Sequence, residues 1–312
     1  MTEKTAVTEA EDVTQPPIGE KTALVTIIGR PSAGKSTFLN TASGEEISIV
    51  SSYPQTTRNA IKGIVNTSLG QLVFVDTPGY HDSDKKMNQR MKTIVTDQLE
   101  DADCILYVID STRLCGQEEA SITALLKKHT QKLVVAINKI DDRHAKAAQA
   151  QAFVHSELPD LDIKKILPIS AKGDQGINEV LRALYELAPV APQLYSEEFY
   201  TDQEVDFRIA EVIREQAMNR LSQEIPHAIY VQIADMEKKK ENELWVRAFL
   251  CVERESQKGI VIGKGASLIK TIRVESIKKL RKIFPYRIDL DLQVKVDKNW
   301  RQKDSRLDKL IK

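Results

Sequence analysis

Four short segments carry residue types that could handle a purine triphosphate. Gly29-Arg30-Pro31-Ser32-Ala33-Gly34-Lys35-Ser36, followed by Thr37, has the spacing GxxxxGKS. Glycines at 29 and 34 let backbone N–H groups close around phosphate oxygens. Lys35 brings a positive charge to the β- and γ-phosphates, and the Ser36 hydroxyl can bind Mg²⁺. Asp76-Thr77-Pro78-Gly79 supplies a carboxylate behind Mg²⁺ and, at Gly79, an N–H for the γ-phosphate. Asn138-Lys139-Ile140-Asp141 selects the base. The Asp141 carboxylate can accept from both the ring N–H and the exocyclic amine of guanine, and adenine presents no such pair. Lys139 can lie across the base plane, and Asn138 can tie the loops together. Ser170-Ala171-Lys172 offers a backbone N–H to the guanine O6.

Order and spacing make these segments confirm one another, and together they imply a GTPase. Between the first two lies Ser51-Ser-Tyr-Pro-Gln-Thr-Thr-Arg58. A threonine there can bind Mg²⁺ only while a γ-phosphate orders the segment, which makes a switch. Thr57 is favoured over Thr56, so Lys35, Thr57 and Gly79 are the expected catalytic set and Ser36, Thr57 and Asp76 the expected Mg²⁺ set. Tyr80 stands where many regulatory GTPases carry a water-orienting glutamine, so intrinsic hydrolysis is expected to be slow. Arg58 is expected to be structural at least as much as catalytic.

The elements that must position these residues are legible from periodicity. Apolar runs at 23–28, 104–110, 133–137 and 165–169 read as strands, and 61–66 with 71–75 as a hairpin. Helical patterns cover 87–99, 118–129, 145–156 and 177–187, and a helix opens at Ser36. Strands alternating with helices predict an α/β domain with a mostly parallel sheet, the P-loop GTPase fold, over residues 21–192. Each nucleotide segment then falls at the carboxyl edge of that sheet, where ligands bind. Pro189 and Pro192 break the pattern, and 193–203 reads as a linker. An α+β module follows over 204–300, with helices at 204–221 and 267–283 and strands at 229–235, 243–253 and 288–296. Residues 1–20 read as a disordered extension and 301–312 as a basic tail.

Formal net charge is zero over 312 residues, but it is unevenly spread. From Lys258 to the end there are 16 Lys and Arg against 6 Asp and Glu, a net of +10; the rest carries 29 against 39. The basic end predicts an anionic partner. Cys104, Cys115 and Cys251 are scattered, which fits neither a disulfide framework nor a zinc site. No apolar run approaches the length of a membrane span, and the acidic, polar N-terminal residues lack the apolar core of a signal peptide.

The chain resembles the Era family of bacterial GTPases from about Lys21 to Trp300. GRPSAGKST is similar to the family's GRPNVGKST, YPQTTR to its QTTR switch, and DTPG with Tyr80-His81 to its DTPG followed by an aliphatic residue and His. Glu224-Ile-Pro-His227 and the run from Val252 through Ile262-Gly263-Lys264-Gly265 are similar to the family's type II KH domain. A GxxG loop before a helix lets RNA backbone approach closely. Lys258, Ile262, Gly263, Lys264, Gly265, Ala266, Lys270 and Arg273 are therefore candidate RNA-binding residues, with Ile269, Ile272, Ile277, Leu280 and Phe284 as the buried stripe of the helix. The resemblance implies GTP, GDP and Mg²⁺ as ligands, the 3′ end of 16S ribosomal RNA and the small ribosomal subunit as partners, and a role in small-subunit maturation. It also implies a monomeric cytoplasmic protein with peripheral contact at the inner membrane. The rival reading is a membrane-associated or cell-cycle signalling switch whose basic end binds anionic lipid. Two departures stand out. Ser32 replaces an asparagine linked to K⁺ coordination, so K⁺ dependence is in question. Ala266 replaces the fourth-position glycine of GxxG and adds a methyl where RNA should pass.

Overall fold

The computed structural model describes residues 20–80 and 86–311. His81 and the N-terminal extension through residue 19 lie outside the described residues. The first domain runs β1 (Lys21–Ile28), α1 (Lys35–Ser43), β2 (Ile61–Thr67), β3 (Gly70–Asp76), α2 (Lys86–Asp101), β4 (Cys104–Asp110), α3 (Gln117–Leu126), β5 (Leu133–Asn138), α4 (Ala147–Glu157), β6 (Ile166–Pro168) and α5 (Ile177–Leu187). Its six strands lie in the order β2-β3-β1-β4-β5-β6, and only β2 runs antiparallel. Every residue of β3, β4 and β5 is buried. Such uninterrupted apolar runs are what a sheet covered on both faces demands. One core joins Phe38, Leu39, Val180 and Leu184 to one face, and the other joins Val95, Ile122 and Val154 to the opposite face.

The second domain runs α6 (Val205–Met218), α7 (Ile225–Ala228), β7 (Tyr230–Lys240), β8 (Glu243–Val252), α8 (Glu255–Ile262), α9 (Ser267–Ile283) and β9 (Arg287–Val296). β7 and β8 are antiparallel, and β8 and β9 parallel. The alternation of β8 and β9 turns Val246, Ala248, Leu250, Ile288 and Leu290 onto the helices, where Ile272 and Leu280 of α9 meet them. Ile269, Ile277 and Phe284 pack at the margin of the same core, partly buried.

One expectation needs correction, and two features were not anticipated. Helix α8 was not legible, because Glu255–Ile262 is only 8 residues long and carries Gly259. Part of the expected tail folds as α10 (Asp304–Leu310) and packs on α2, with Leu307 and Ile311 beside Met87 and Met91. The linker is strapped to the first domain: Gln71 Oε1 accepts from Leu194 and Tyr195 amides at 2.9 and 3.0 Å, and the Ile64 amide donates to the Tyr200 carbonyl at 2.9 Å.

Candidate functional site

Between β1 and α1 the chain turns back through the carboxyl edge of the sheet. Gly34 makes that turn at φ 100°, with the Asn138 amide where a Cβ would stand, so no side chain fits. Lys35 is buried, and its Nζ donates to the Gly29 and Arg30 carbonyls at 2.9 and 3.1 Å. Burial pushes this ammonium down to about 8, against the pull of Asp76. A triphosphate supplies the counter-charge such a lysine favours.

Ser36 Oγ donates to Asp76 Oδ2 at 2.6 Å, and Thr57 Oγ1 lies 2.9 Å from Ser36 Oγ. Thr57, not Thr56, faces the site; Thr56 Oγ1 donates to the Tyr53 carbonyl at 2.7 Å. Two hydroxyls and a carboxylate form a donor set suited to a hard cation. Asp76 Oδ1 is buried without a hydrogen-bond partner, and burial raises the pKa of the carboxyl in spite of Lys35. A dication fits this arrangement, since it would use the orphaned oxygen and hold the group ionised. The cavity beside these groups measures about 610 Å³ and is lined also by Ser32, Gly79, Lys139 and Arg113.

The base-selecting loop is tied to the phosphate loop by Asn138. Its Nδ2 donates to the Ala33 carbonyl at 2.9 Å, and its Oδ1 accepts from the Lys139 and Ala171 amides at 2.7 and 2.9 Å. The Ala171 amide is thus taken up by Asn138 rather than standing free for a base oxygen. Lys139 sits at φ 67° and its Nζ donates to Asp110 Oδ2 at 2.8 Å, which stretches its alkyl stem along the cavity wall. Asp141 and Lys172 are exposed, and Ser170 is buried.

Three side chains point elsewhere than a phosphate. Arg30 is buried and paired with Glu119 at 3.1 Å and Asp110 at 3.6 Å, so only its backbone serves the loop. Tyr80 is 5% exposed and packs into the core with Val95 and Ile105, so it cannot orient a water at the γ-phosphate. Arg58 leaves the site altogether. Its Nη1 donates to the Ile229 carbonyl at 2.8 Å, its Nη2 to His227 at 3.3 Å, and its guanidinium lies 5.5 Å from the Trp300 ring centre. On the other side of Thr57, Arg214 Nη2 of α6 donates to the Thr56 carbonyl at 2.6 Å. Thr57 is held between two anchors in the second domain. Sequence reasoning missed both anchors, because each joins residues more than 150 positions apart. It also missed Arg113, although the carboxyl end of β4 is the place where such a residue should be sought.

In the second domain, the turn between α8 and α9 puts Gly263, Gly265 and Ala266 at φ 73°, 58° and 59°. Position 266 thus needs the left-handed conformation, and alanine takes it at a cost of about 1 kcal/mol. A side chain at Gly265 would meet nothing within 4 Å, so this tip stands open to a ligand. Lys264 and Lys270 are exposed beside it, and Ile262 and Lys258 are half-buried at the end of α8. Arg273 is drawn away, with Nε donating to the Leu290 carbonyl and an ion pair to Asp289 at 3.5 Å. Lys279 of α9 also turns inward, to Glu215 at 2.7 Å and Glu46 of the first domain at 2.8 Å.

Residues 24–139 match the family described as 50S ribosome-binding GTPase, and residues 224–301 match the KH domain. The GTPase Era of Treponema denticola is 57% identical over 288 residues, covering 92% of this chain and 98% of that protein. That of Borreliella burgdorferi is 41% identical over 291 residues, covering 93% and 99%. Among solved structures, Aquifex aeolicus Era bound to GDP and tetrafluoroaluminate has a TM-score of 0.88 at 31% identity, over 93% of this chain and 98% of that one. An Era complex with MgGDPNP and nucleotides 1506–1542 of 16S ribosomal RNA has the same TM-score and identity, over 94% and 98%.

Proposed function

The chain belongs to the Era family of GTPases, and from that premise we propose that it couples its GTP cycle to binding of the 3′ end of 16S ribosomal RNA and so assists maturation of the small ribosomal subunit. Its first domain hydrolyses GTP to GDP and phosphate. Lys35 holds the β- and γ-phosphates, the Gly79 amide reaches the γ-phosphate, and Asp141 reads guanine. Ser36, Thr57 and Asp76 hold Mg²⁺, which when bound neutralises charge on the β- and γ-oxygens. Ser32 is exposed and offers no amide oxygen, so hydrolysis differs little between K⁺ and Na⁺.

The observation that carries the coupling is the placement of Thr57 between Arg58 and the Thr56 carbonyl, both held by the KH domain. Thr57 stands beside Ser36 and Asp76 in this docked arrangement, where a γ-phosphate and its Mg²⁺ would hold it, so the triphosphate favours the docked arrangement of the two domains. RNA passes over the open tip at Gly265 with Lys264 and Lys270 beside it. Among the described residues no helix is long and apolar enough to cross a membrane.

The test is co-sedimentation with small ribosomal subunits and, separately, with anionic liposomes at matched salt, each with Mg·GDPNP and with Mg·GDP. Binding to subunits that depends on the nucleotide supports the reading. Pelleting with liposomes alone would replace it with the membrane switch.

A further inference from the structure

We propose that Arg113 is a catalytic arginine supplied in cis to the γ-phosphate, the group that offsets charge where neither Tyr80 nor Arg58 can. Three arginines lie near the phosphate loop. Arg30 is buried against Glu119 and Asp110, and Arg58 is bound into the second domain. Arg113 is exposed and lines the nucleotide cavity together with Pro31, Ser32, Lys35 and Gly79. Its guanidinium makes no ion pair among the described residues.

The loop that carries Arg113 is fixed from both sides. Asp110 at the end of β4 is 2% exposed and receives Arg30 of the phosphate loop and Lys139 of the guanine loop. Its Oδ1 accepts from the Thr112 amide and hydroxyl at 2.9 and 2.6 Å. Ser111 Oγ donates to the Asn138 carbonyl at 2.7 Å, and the Lys146 amide donates to the Ser111 carbonyl at 2.7 Å. Arg113 therefore stands on a base pinned to both nucleotide loops, and the base needs no reorganisation as charge develops. Lys139, also in the cavity wall, is committed to Asp110.

The step it serves is the one the family performs. A water oxygen bonds to the γ-phosphorus as the bond to the β–γ bridging oxygen breaks. The electron pair of that bond goes to GDP, and the proton from water ends on the released phosphate. Negative charge grows on the bridging and γ-oxygens as the bond stretches, and the Arg113 guanidinium, at the wall of the same cavity as Pro31 and Ser32, meets it there.

The experiment compares wild type, Arg113→Ala and Arg113→Lys in single-turnover GTP hydrolysis. Beside the rate, it measures GDP affinity and the affinity of the Mg·GDP complex for tetrafluoroaluminate, which mimics the transferring phosphoryl group. Arg113→Ala is expected to lower the rate by about 10²-fold, the scale of one lost stabilising donor. Its GDP affinity stays within about threefold, tetrafluoroaluminate binding falls with the rate, and Arg113→Lys recovers part of both. Normal GDP binding also reports that the variant is folded. A wild-type rate and wild-type tetrafluoroaluminate affinity in Arg113→Ala would overturn the proposal. A loss of GDP affinity as large as the loss of rate would overturn it too, because Arg113 would then hold the phosphates equally in the ground state.

Discussion

Arg58 reaches from the switch segment into the KH domain and donates to the Ile229 carbonyl at 2.8 Å. The residue beside it in sequence, Thr57, touches Ser36 and Asp76. One peptide bond thus separates the nucleotide site from the domain interface. Burial pushes the Arg58 guanidinium down to about 9, with Arg214 adding repulsion, so it is charged at neutral pH. It relies on carbonyls and the Trp300 ring for compensation.

Arg58→Ala is expected to cost about 2 kcal/mol of stability in urea unfolding, since two charge-assisted hydrogen bonds and the ring contact are lost. Its sharper effect is on nucleotide preference. Loosening Thr57 weakens GDPNP by about tenfold while leaving GDP nearly unchanged, because only the triphosphate state uses Thr57. An unchanged ratio of the two affinities would detach the KH anchor from the nucleotide site.

Asp141→Asn exchanges a double acceptor for an amide that can also donate. GTP affinity should fall by about 10²-fold or more, and xanthosine triphosphate should become the better ligand. Competition against a fluorescent GDP reads both numbers. ATP competing as well as GTP against wild type would remove the guanine assignment.

Lys35 titrates near 8 in the folded protein without nucleotide, below its ordinary 10.5. Below about pH 8 it is charged in both folded and unfolded chains, and its burial penalty is constant. Between the two values the unfolded chain binds more protons, so this group's share of stability rises with pH. Nucleotide works in the opposite sense, because phosphates favour the charged lysine. GDP affinity should therefore fall as pH rises from about 7 to about 8.5, with a proton taken up on binding. Calorimetry in buffers of different ionisation heat measures that uptake; identical heats across buffers at the upper pH would contradict it.

Gly265→Asp places a carboxylate on an open tip where it meets nothing of the protein. Binding of single-stranded RNA matching the 3′ end of 16S ribosomal RNA should be lost, at a stability cost of about 1 kcal/mol because position 265 also sits in the left-handed region at φ 58°. Ala266→Gly relieves a left-handed alanine and should add up to about 1 kcal/mol while keeping or strengthening RNA binding. Titrations with the cognate RNA and a scrambled one of equal length, over a range of salt, separate base reading from charge. A Gly265→Asp variant that binds normally would leave only a basic patch.

The nucleotide loops and the order of strands and helices around them were legible in the sequence for a physical reason. Each nucleotide segment is contiguous and sits where an apolar run ends, so its chemistry and its place at the sheet edge are written within a dozen residues. The loop before α9 was legible for the same reason. What no local pattern carries is which distant surface a polar side chain meets. Arg58 in its own segment is a charged loop residue; only the meeting with Ile229, His227 and Trp300 makes it an anchor. Arg214, in the helical pattern of α6, has the same ambiguity until the Thr56 carbonyl appears beside it. The expected basic tail became α10 because α2 offered Met87 and Met91 for Leu307 to cover, and Arg90 for Asp308 to pair with. Local propensity determined the elements and the chemistry at their ends. Burial between elements far apart in sequence decided the docking of the two domains, since a surface exists only after both of its sides have folded.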